Sequence, residues 1–300
     1  MTKCPACREG FDPGDYAALT AHLLAASGSS EPAHVRWLNQ SVGPRRMEAV
    51  ELQRAVEGVF ALPPEGLAAW IKQRFVARFF GERPHPFVVA LQHPSRAVLL
   101  GYAVEHQHFL RQWVRCCAFI LARSGQSDVV LFEIDNIDTE FGGRGPDLPS
   151  HYELLLRMGE SAGLSRPILL ATPALPTTER TVAEWHAICQ EEHWVAAMAA
   201  MHSLELIAHR NLLPLGATLH YFDPAILDGS TIPAPAQAFL REGYEADIGH
   251  SDAALALVER HARTFGVVED VQGVFLRSLD LFDDYLGARL ERAEIYGPTA

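Results

Sequence analysis

The sequence predicts an all-α protein. Apolar residues recur at helical spacing through most of the 300 residues, whereas the alternation typical of strands is scarce. Gly and Pro residues cluster between these periodic segments, where loops would join successive helices. The predicted organisation is a small N-terminal appendage over residues 1–43 followed by a helical bundle over residues 44–300.

The predicted helices follow one another closely after the Gly/Pro-containing sequence SVGPRR. Each has apolar residues three or four positions apart, so that one face can pack into a core. In chain order these segments are MEAVELQRAVEGVF, LAAWIKQRFVARFF, VLLGYAVEHQHFLRQWVRCCAFILA, VVLFEIDNI, HYELLLRMGESAG, the run from TERTVAEWH to LIAHR, and two terminal helices.

Two helix starts carry capping residues. In DLPSHYELLL, Ser150 followed by Glu153 forms a capping box, which places His151 in the first turn of its helix. In LPTTERTVAEWH, Thr177 or Thr178 can cap the next helix. These boundaries favour an all-helical bundle whose loops carry the Gly and Pro residues.

Composition and charge restrict the partners of this protein. Its 37 acidic and 25 basic residues give a formal net charge of -12, so its average surface field repels nucleic acid and anionic membranes. The N-terminal sequence MTKCPACREG has no apolar signal core, and the apolar runs are too short to span a bilayer. The five cysteines are odd in number and do not resemble a disulfide framework. A cytoplasmic protein is expected.

The N-terminal segment resembles part of a C2H2 zinc finger. Cys4 and Cys7 form a compact C-P-x-C knuckle, His22 follows, and His34 is the candidate fourth ligand. The separation of His22 and His34 exceeds the usual short spacing, but the Gly/Ser-rich insert between them can loop out. The resemblance implies a structural zinc ion with a scaffold, lid or dimer role; the alternative is a pair of free cysteines in a mobile terminus.

Carboxylates and imidazoles lie together on predicted apolar helices further along the chain. Glu205 and His209 occur in WVAAMAAMHSLELIAHR, and Asp247 and His250 occur in REGYEADIGHSDAAL. Helical residues three or four apart share a face, and burying such groups is costly unless something compensates them. This pattern is typical of a carboxylate-rich metal site, although solvated surface pairs would show the same spacing.

A further carboxylate and imidazole face each other across a Gly/Pro-rich reversal. In NIDTEFGGRGPDLPSHYELLL, Glu140 ends one predicted helix and His151 begins the next. With this segment, residues 90 to 290 resemble the haem-oxygenase-like diiron oxidases, also called iron-containing redox enzymes, which are relatives of the TenA and PqqC fold group. The family pattern has a Glu, a His at the next helix start, a Glu on a central helix, and H-x-x-x-D-x-x-H. The metal ligands that the resemblance implies are Glu140, His151, Glu205, Asp247 and His250.

One position departs from that pattern, because the first His of the last motif falls on Gly243. A local widening of the helix could bring Glu242 inward as a replacement ligand. His209 or His202 from the neighbouring helix could substitute instead, and a mononuclear site is a third interpretation. Otherwise His202, like His106, is expected to be a core or surface histidine.

The resemblance implies a nonhaem iron enzyme, with two irons and O2 as co-substrate, acting on a small and possibly amino-acid-derived molecule. Carboxylate and imidazole ligands suit iron or manganese. Glu205 and Asp247 would then be the catalytic residues. Two alternatives remain open at this stage: a cofactorless TenA- or PqqC-like enzyme that uses these groups for acid–base catalysis, and a helical zinc-containing adaptor protein. Apolar helices would also permit a homodimer.

Overall fold

The computed structural model describes residues 1–143 and 149–297, except for the side chains of residues 245–248. The N-terminal strands β1 (Thr2–Lys3) and β2 (Gly10–Phe11) form an antiparallel pair in which Thr2 lies opposite Phe11. Apart from this pair, the regular structure of the described residues is helical. The all-α prediction is therefore confirmed.

The helices of the described residues form one continuous succession. They are α1 (Tyr16–Gly28), α2 (Pro32–Ser41), α3 (Ala49–Phe60), α4 (Leu67–Phe79), α5 (Pro86–Gln92), α6 (Arg96–Ser124), α7 (Ser127–Ile137), α8 (His151–Ser161), α9 (Arg166–Ala171), α10 (Pro176–Glu191), α11 (Trp194–His202), α12 (Ala234–Phe265) and α13 (Val268–Tyr296). A π-helical turn covers Asp138–Gly142, and 3-10 turns cover Ser203–Ala208, Leu213–Leu215 and Pro224–Leu227.

The bundle is organised around α6, which packs against α7, α8, α10, α11 and α13. Most residues of α6 are buried, including polar Glu105, His106 and Gln107. A helix that is buried on nearly all sides must bury some of its polar side chains, and these then need partners from neighbouring helices. The central helix therefore positions the polar groups of the interior.

The contact between α6 and α13 is close because a glycine faces the backbone of α13. A Cβ atom at Gly101 would overlap the carbonyl oxygen of Arg289 and lie 2.8 Å from the backbone nitrogen of Ala293. Backbone atoms cannot move aside as a flexible side chain can. Any larger residue at this position would force the two helices apart.

We therefore expect Gly101→Ala to lower the free energy of unfolding by about 1–3 kcal/mol through overpacking, as measured by urea denaturation. The matched control is Gly287→Ala on α13, where an added Cβ meets no atom within 4 Å. The control should be neutral or stabilising, since alanine is the better helix former. Equal effects of the two substitutions would contradict the close approach of α6 and α13.

Several local predictions can be compared with the helices. The Ser150 cap is confirmed, since its hydroxyl accepts a hydrogen bond from the Glu153 amide at 3.2 Å. The expected threonine cap is wrong, because α10 begins at Pro176 and Leu175 occupies the cap position. The amide of Leu175 donates to the buried carboxylate of Glu105 at 3.1 Å. The single helix expected from TERTVAEWH to LIAHR is also wrong. It is divided into α10, α11 and a 3-10 turn, and His193 caps the start of α11.

The N-terminal segment is seated on the bundle. Its helix α1 packs against α2 and α3, and β1 lies against the start of α13. Buried Leu19, Leu23 and Trp37 belong to a hydrophobic core that is continuous with that of the bundle. Lys3 pairs with Glu192 at the junction of α10 and α11. In the described part of the chain, no helix is both long enough and apolar enough to cross a membrane.

Candidate functional site

A cavity opens inside the bundle between α6, α8, α12, α13 and the 3-10 turn Ser203–Ala208. The space between its lining atoms is about 620 Å³, including the part that opens to solvent. Its walls are mainly apolar and aromatic. The residues that line it are Tyr102, His106, Phe109, Leu110, Trp113, Glu140, His151, Leu204, Glu205, Ile207, Ala208, Tyr221, Phe222, Phe239, Leu240, Gly243, Phe282 and Arg289.

Glu205 presents one oxygen that is held and one that is not. His202 Nδ1 lies 2.9 Å from Glu205 Oε1, and the side-chain amide of Asn136 donates to the same oxygen at 3.3 Å. Glu205 Oε2 is buried and has no hydrogen-bond partner among the described residues. A buried carboxylate oxygen without a partner is costly, so this oxygen is suited to receive a proton or a ligand.

His202 lies between two carboxylates in the interior. Its Nε2 is 2.9 Å from Glu133 Oε1 on α7, while its Nδ1 faces Glu205. Burial by itself would lower the pKa of His202, but the two carboxylates outweigh burial and raise it to about 10. The rings of Trp113 and Phe132 pack edge-on against the imidazole at 5.1 and 5.0 Å. His202 is therefore a fixed imidazolium that donates to both glutamates.

Glu140, His151 and Glu242 form a second polar group. The π-helical turn presents Glu140, whose Oε1 lies 3.2 Å from His151 Nδ1. His151 Nε2 lies 3.7 Å from Glu242 Oε2 on α12. Glu140 Oε2 and Glu242 Oε2 are buried without a hydrogen-bond partner among the described residues. Glu140 and His151, which the sequence places on either side of one reversal, are therefore joined here by Glu242, one of several replacement ligands considered for Gly243.

The predicted iron ligands are only partly brought together. Glu140, His151 and Glu205 line the same cavity. Within the described part of the chain, however, no three of the predicted iron ligands have donor atoms within 4.8 Å of one another. His250 Nε2 lies 4.0 Å from Asp135, and the side chain of Asp247 falls outside the described residues. The two-iron centre stays a prediction.

The helix widening considered for Glu242 is not found in α12, although Glu242 faces His151. Gly243 lines the cavity, and the helix that carries it and Glu242 is assigned as α-helix from Ala234 to Phe265. The π-helical widening is found instead at Asp138–Gly142, where it carries Glu140. The widened turn therefore positions Glu140, which faces Nδ1 of His151. It does not position Glu242, which faces Nε2 of the same ring.

Sequence reasoning missed the residues at another side of the cavity. Arg289 on α13 is buried and donates to the hydroxyls of Tyr221 and Tyr285 at 2.8 and 3.0 Å. His106 lies 3.0 Å from the same guanidinium, and the ring of Tyr102 lies 4.0 Å from it. Burial first, and then Arg289, lower the pKa of His106 well below its usual value. The available signal was an arginine one turn after a tyrosine in a largely apolar helix.

The four predicted zinc ligands come together in the N-terminal segment. Cys4, Cys7, His22 and His34 each bring one donor atom within 4.8 Å of the others. Cys7 Sγ lies 3.3 Å from His22 Nε2, which lies 3.0 Å from His34 Nε2. Two thiols and two imidazoles at such distances match a tetrahedral zinc site. These four residues are therefore assembled to hold a structural zinc ion.

The long separation of the two histidines has a helical explanation. His22 lies on α1 and His34 lies on α2, so a helical turn and a reversal join them rather than the expected looped-out insert. The remaining nitrogen of each ring faces a carboxylate. His22 Nδ1 lies 3.2 Å from Glu9, and His34 Nδ1 lies 3.0 Å from Glu31. Carboxylates in this position orient zinc-binding histidines and increase their basicity.

Two known families match the chain, one over the helical bundle and one over the N-terminal segment. The TENA/THI-4/PQQC family pattern matches residues 70–293. A C2H2 type zinc-finger pattern matches residues 1–61. No curated protein sequence matches the chain. The family match covers the helices that form the cavity, and the zinc-finger match covers the four assembled donors.

Solved structures share the fold at low sequence identity. A TenA family transcription regulator from Silicibacter sp. TM1040 matches with a TM-score of 0.55 and 14% identity, over 76% of this chain and 94% of its own. A domain of unknown function with a haem-oxygenase-like fold from Shewanella denitrificans OS217 matches with a TM-score of 0.56 and 16% identity, over 85% of this chain and 97% of its own. A TenA homologue from Pseudomonas syringae pv. tomato DC3000 matches with a TM-score of 0.54 and 12% identity, over 79% of this chain and 92% of its own. The predicted haem-oxygenase-like fold is confirmed.

Proposed function

The chain belongs to the TENA/THI-4/PQQC family, and we propose that it is an enzyme that moves protons on a small organic substrate bound in the cavity. The family is in general enzymatic. The observation that carries the proposal is Glu205, which lines the cavity with one oxygen fixed and the other buried without a described partner. This is the acid–base alternative among the sequence hypotheses.

Glu205 would act as the general base. His202 and Asn136 hold Oε1, so the carboxylate keeps one orientation and Oε2 is left to take a proton from the substrate. Glu133 holds the far nitrogen of His202 and thereby fixes the whole relay. A positioned group of this kind contributes about 10²–10⁴-fold to a rate.

His151 would serve as the second proton carrier of the same cavity. Its Nδ1 faces Glu140 at 3.2 Å, and its ring lies 4.8 Å from the ring of Phe239. A carboxylate that orients an imidazole also stabilises the protonated ring, as in other catalytic His–carboxylate pairs. Glu205 and His151 could then remove and return a proton at two places on one substrate.

Iron chemistry is the second candidate, and one observation favours it. Glu140, Glu205 and Glu242 each have a buried Oε2 without a described hydrogen-bond partner, and His151 lies beside two of them. This donor set fits iron or manganese in chemistry. Those four residues would hold the metal, which would supply oxygen-dependent oxidation with O2 as co-substrate. Among the described side chains, no three of these donors lie within 4.8 Å of one another, which supports the acid–base proposal over a compact centre.

The metal content and the oxygen requirement discriminate the two candidates. We expect protein purified without chelators to contain zinc but no iron. Incubation with a panel of small amines, amino acids and their N-acyl derivatives, followed by mass spectrometry, should reveal a product that forms equally well with and without oxygen. Addition of ferrous iron under anaerobic conditions should leave the rate unchanged.

The variants Glu140→Gln and Cys7→Ser assign any metal that is found. Zinc that is lost from Cys7→Ser but retained by Glu140→Gln belongs to the N-terminal site. Iron that co-purifies, is lost from Glu140→Gln but not from Cys7→Ser, and is required for turnover would overturn the acid–base proposal in favour of the oxidase.

A further inference from the structure

The cavity contains a buried cation without a described counter-ion. Arg289 has only 2% of its surface exposed, yet it lines the cavity. Its polar partners are the hydroxyls of Tyr221 and Tyr285 and a ring nitrogen of His106. Among the side chains that the structure describes, Arg289 forms no ion pair, and its Nε atom has no hydrogen-bond partner.

A nearby arginine on the same helix shows what a compensated cation looks like in this interior. Arg292 donates from Nε to Glu105 at 2.6 Å and from Nη2 to the carbonyl oxygen of Pro173 at 2.6 Å. Both arginines are largely buried, but only Arg292 has a carboxylate. Since arginine stays protonated in proteins, the charge of Arg289 cannot be removed by loss of a proton.

Aromatic rings stabilise Arg289 only in part. The guanidinium carbon lies 4.0 Å from the ring centre of Tyr102 and 4.5 Å from that of Tyr285. Cation–π contacts recover a fraction of the lost hydration, whereas a carboxylate can bind a guanidinium through two parallel hydrogen bonds. The guanidinium of Arg289 therefore lies beside the cavity with its positive charge not neutralised by a described carboxylate.

We propose that Arg289 binds the carboxylate of the substrate, so that the substrate class is a small amino acid or a related amino-carboxylic acid. This inference rests on the proposed function. The carboxylates of Glu140 and Glu205 line the same cavity as Arg289. An anionic group at Arg289 and an amine toward these glutamates would match the two signs of charge in one site.

Binding of three matched probes tests the proposal. Isothermal titration calorimetry with butyrate, butylamine and γ-aminobutyrate separates the acidic group, the amine and the combination of both. We expect γ-aminobutyrate to bind most tightly and butyrate to bind more tightly than butylamine. Arg289→Met should weaken the binding of both acids by at least ~10-fold, as expected for loss of a charged partner, and Arg289→Lys should be intermediate because lysine lacks the planar fork.

The stability of the unliganded variants shows whether Arg289 serves binding or folding. In Arg289→Met, Tyr221 keeps its contact with Tyr102 at 3.1 Å, and Tyr285 keeps its contact with His106 at 2.7 Å. Its Tm should therefore be equal to or higher than that of the wild type. Arg292→Met is the matched control and should lower the Tm, because it leaves Glu105 buried without its cation.

Each adverse result has a defined meaning. Butyrate that binds equally to the wild type and to Arg289→Met, or a Tm loss in Arg289→Met as large as in Arg292→Met, would overturn the carboxylate site. If turnover depends on Glu205 but the affinity for butyrate does not depend on Arg289, this inference fails and the proposed function stands. If butyrate requires Arg289 while Glu205→Gln keeps full turnover, the carboxylate site stands and the acid–base function fails.

Discussion

Replacing Glu205 by Gln should lower kcat by about 10²–10⁴-fold, the usual contribution of a general base. Glutamine has the size of glutamate and can still accept the hydrogen bonds of His202 and Asn136 through its carbonyl oxygen. It cannot take a proton from a bound substrate. We therefore expect KM and the Tm to change little, so that the loss is confined to the chemical step. Steady-state kinetics on the substrate found by mass spectrometry, together with calorimetry, measures both effects.

The control for this prediction is Glu160→Gln on the surface of α8, where the carboxylate pairs with Arg166. This surface change should leave kcat unaltered. Glu133→Gln serves as a positioning variant, since it removes a charge from the far side of His202 without changing a residue that lines the cavity. It should lower kcat less than Glu205→Gln does and alter the pH profile. Full activity of Glu205→Gln would exclude Glu205 as the general base.

Removing the zinc site should unfold the N-terminal segment. Apparent zinc-binding free energies of about 10–16 kcal/mol are typical of structural sites near neutral pH, so the metal should add substantially to the packing of Leu19, Leu23 and Trp37 that seats the segment on the bundle. We expect the double variant Cys4→Ser, Cys7→Ser to lose zinc and to lose amide protection over residues 1–41. Plasma emission spectrometry gives the zinc content, and hydrogen exchange followed by mass spectrometry gives the protection.

Two milder variants grade this zinc effect. Glu9→Gln and Glu31→Gln each remove a carboxylate that faces a zinc-binding histidine, and each should weaken zinc binding by about 10–100-fold. Cys189→Ser is the cysteine control, because this buried thiol lies on α10 and is not one of the four clustered donors, so the variant should retain zinc. A double Cys4, Cys7 variant with wild-type protection over residues 1–41 would show that packing against the bundle holds the segment without metal.

The parts of the fold that were predictable from sequence are local. Apolar spacing specifies helices such as α6, α12 and α13 because one turn brings neighbouring positions to one face. The cap at Ser150 depends on residues three positions apart. The zinc ligands Cys4 and Cys7 belong to a short motif whose chemistry is recognisable without the rest of the chain.

The errors and omissions concern groups whose partners lie far away along the chain. The helix expected through His202 ends there, and the following 3-10 turn aims Glu205 at the cavity. Glu133, which fixes His202, lies 69 residues before it. His106 and Arg289 are 183 residues apart. The apolar spacing within one helix carries no information about contacts between distant helices. In the sequence, His202 and His106 therefore resembled ordinary core residues.

Sequence alone therefore determined the helical class, the zinc ligand set and the neighbourhood of Glu140 and His151, because short-range spacing and residue chemistry suffice for these. Only the tertiary structure decided which oxygen of Glu205 is held, that His202 lies between two carboxylates, and that Arg289 is buried without a described counter-ion. The physical reason is that burial and pairing depend on which helices meet. A side chain has one chemistry in every context, but its charge is costly or useful only according to what packs beside it.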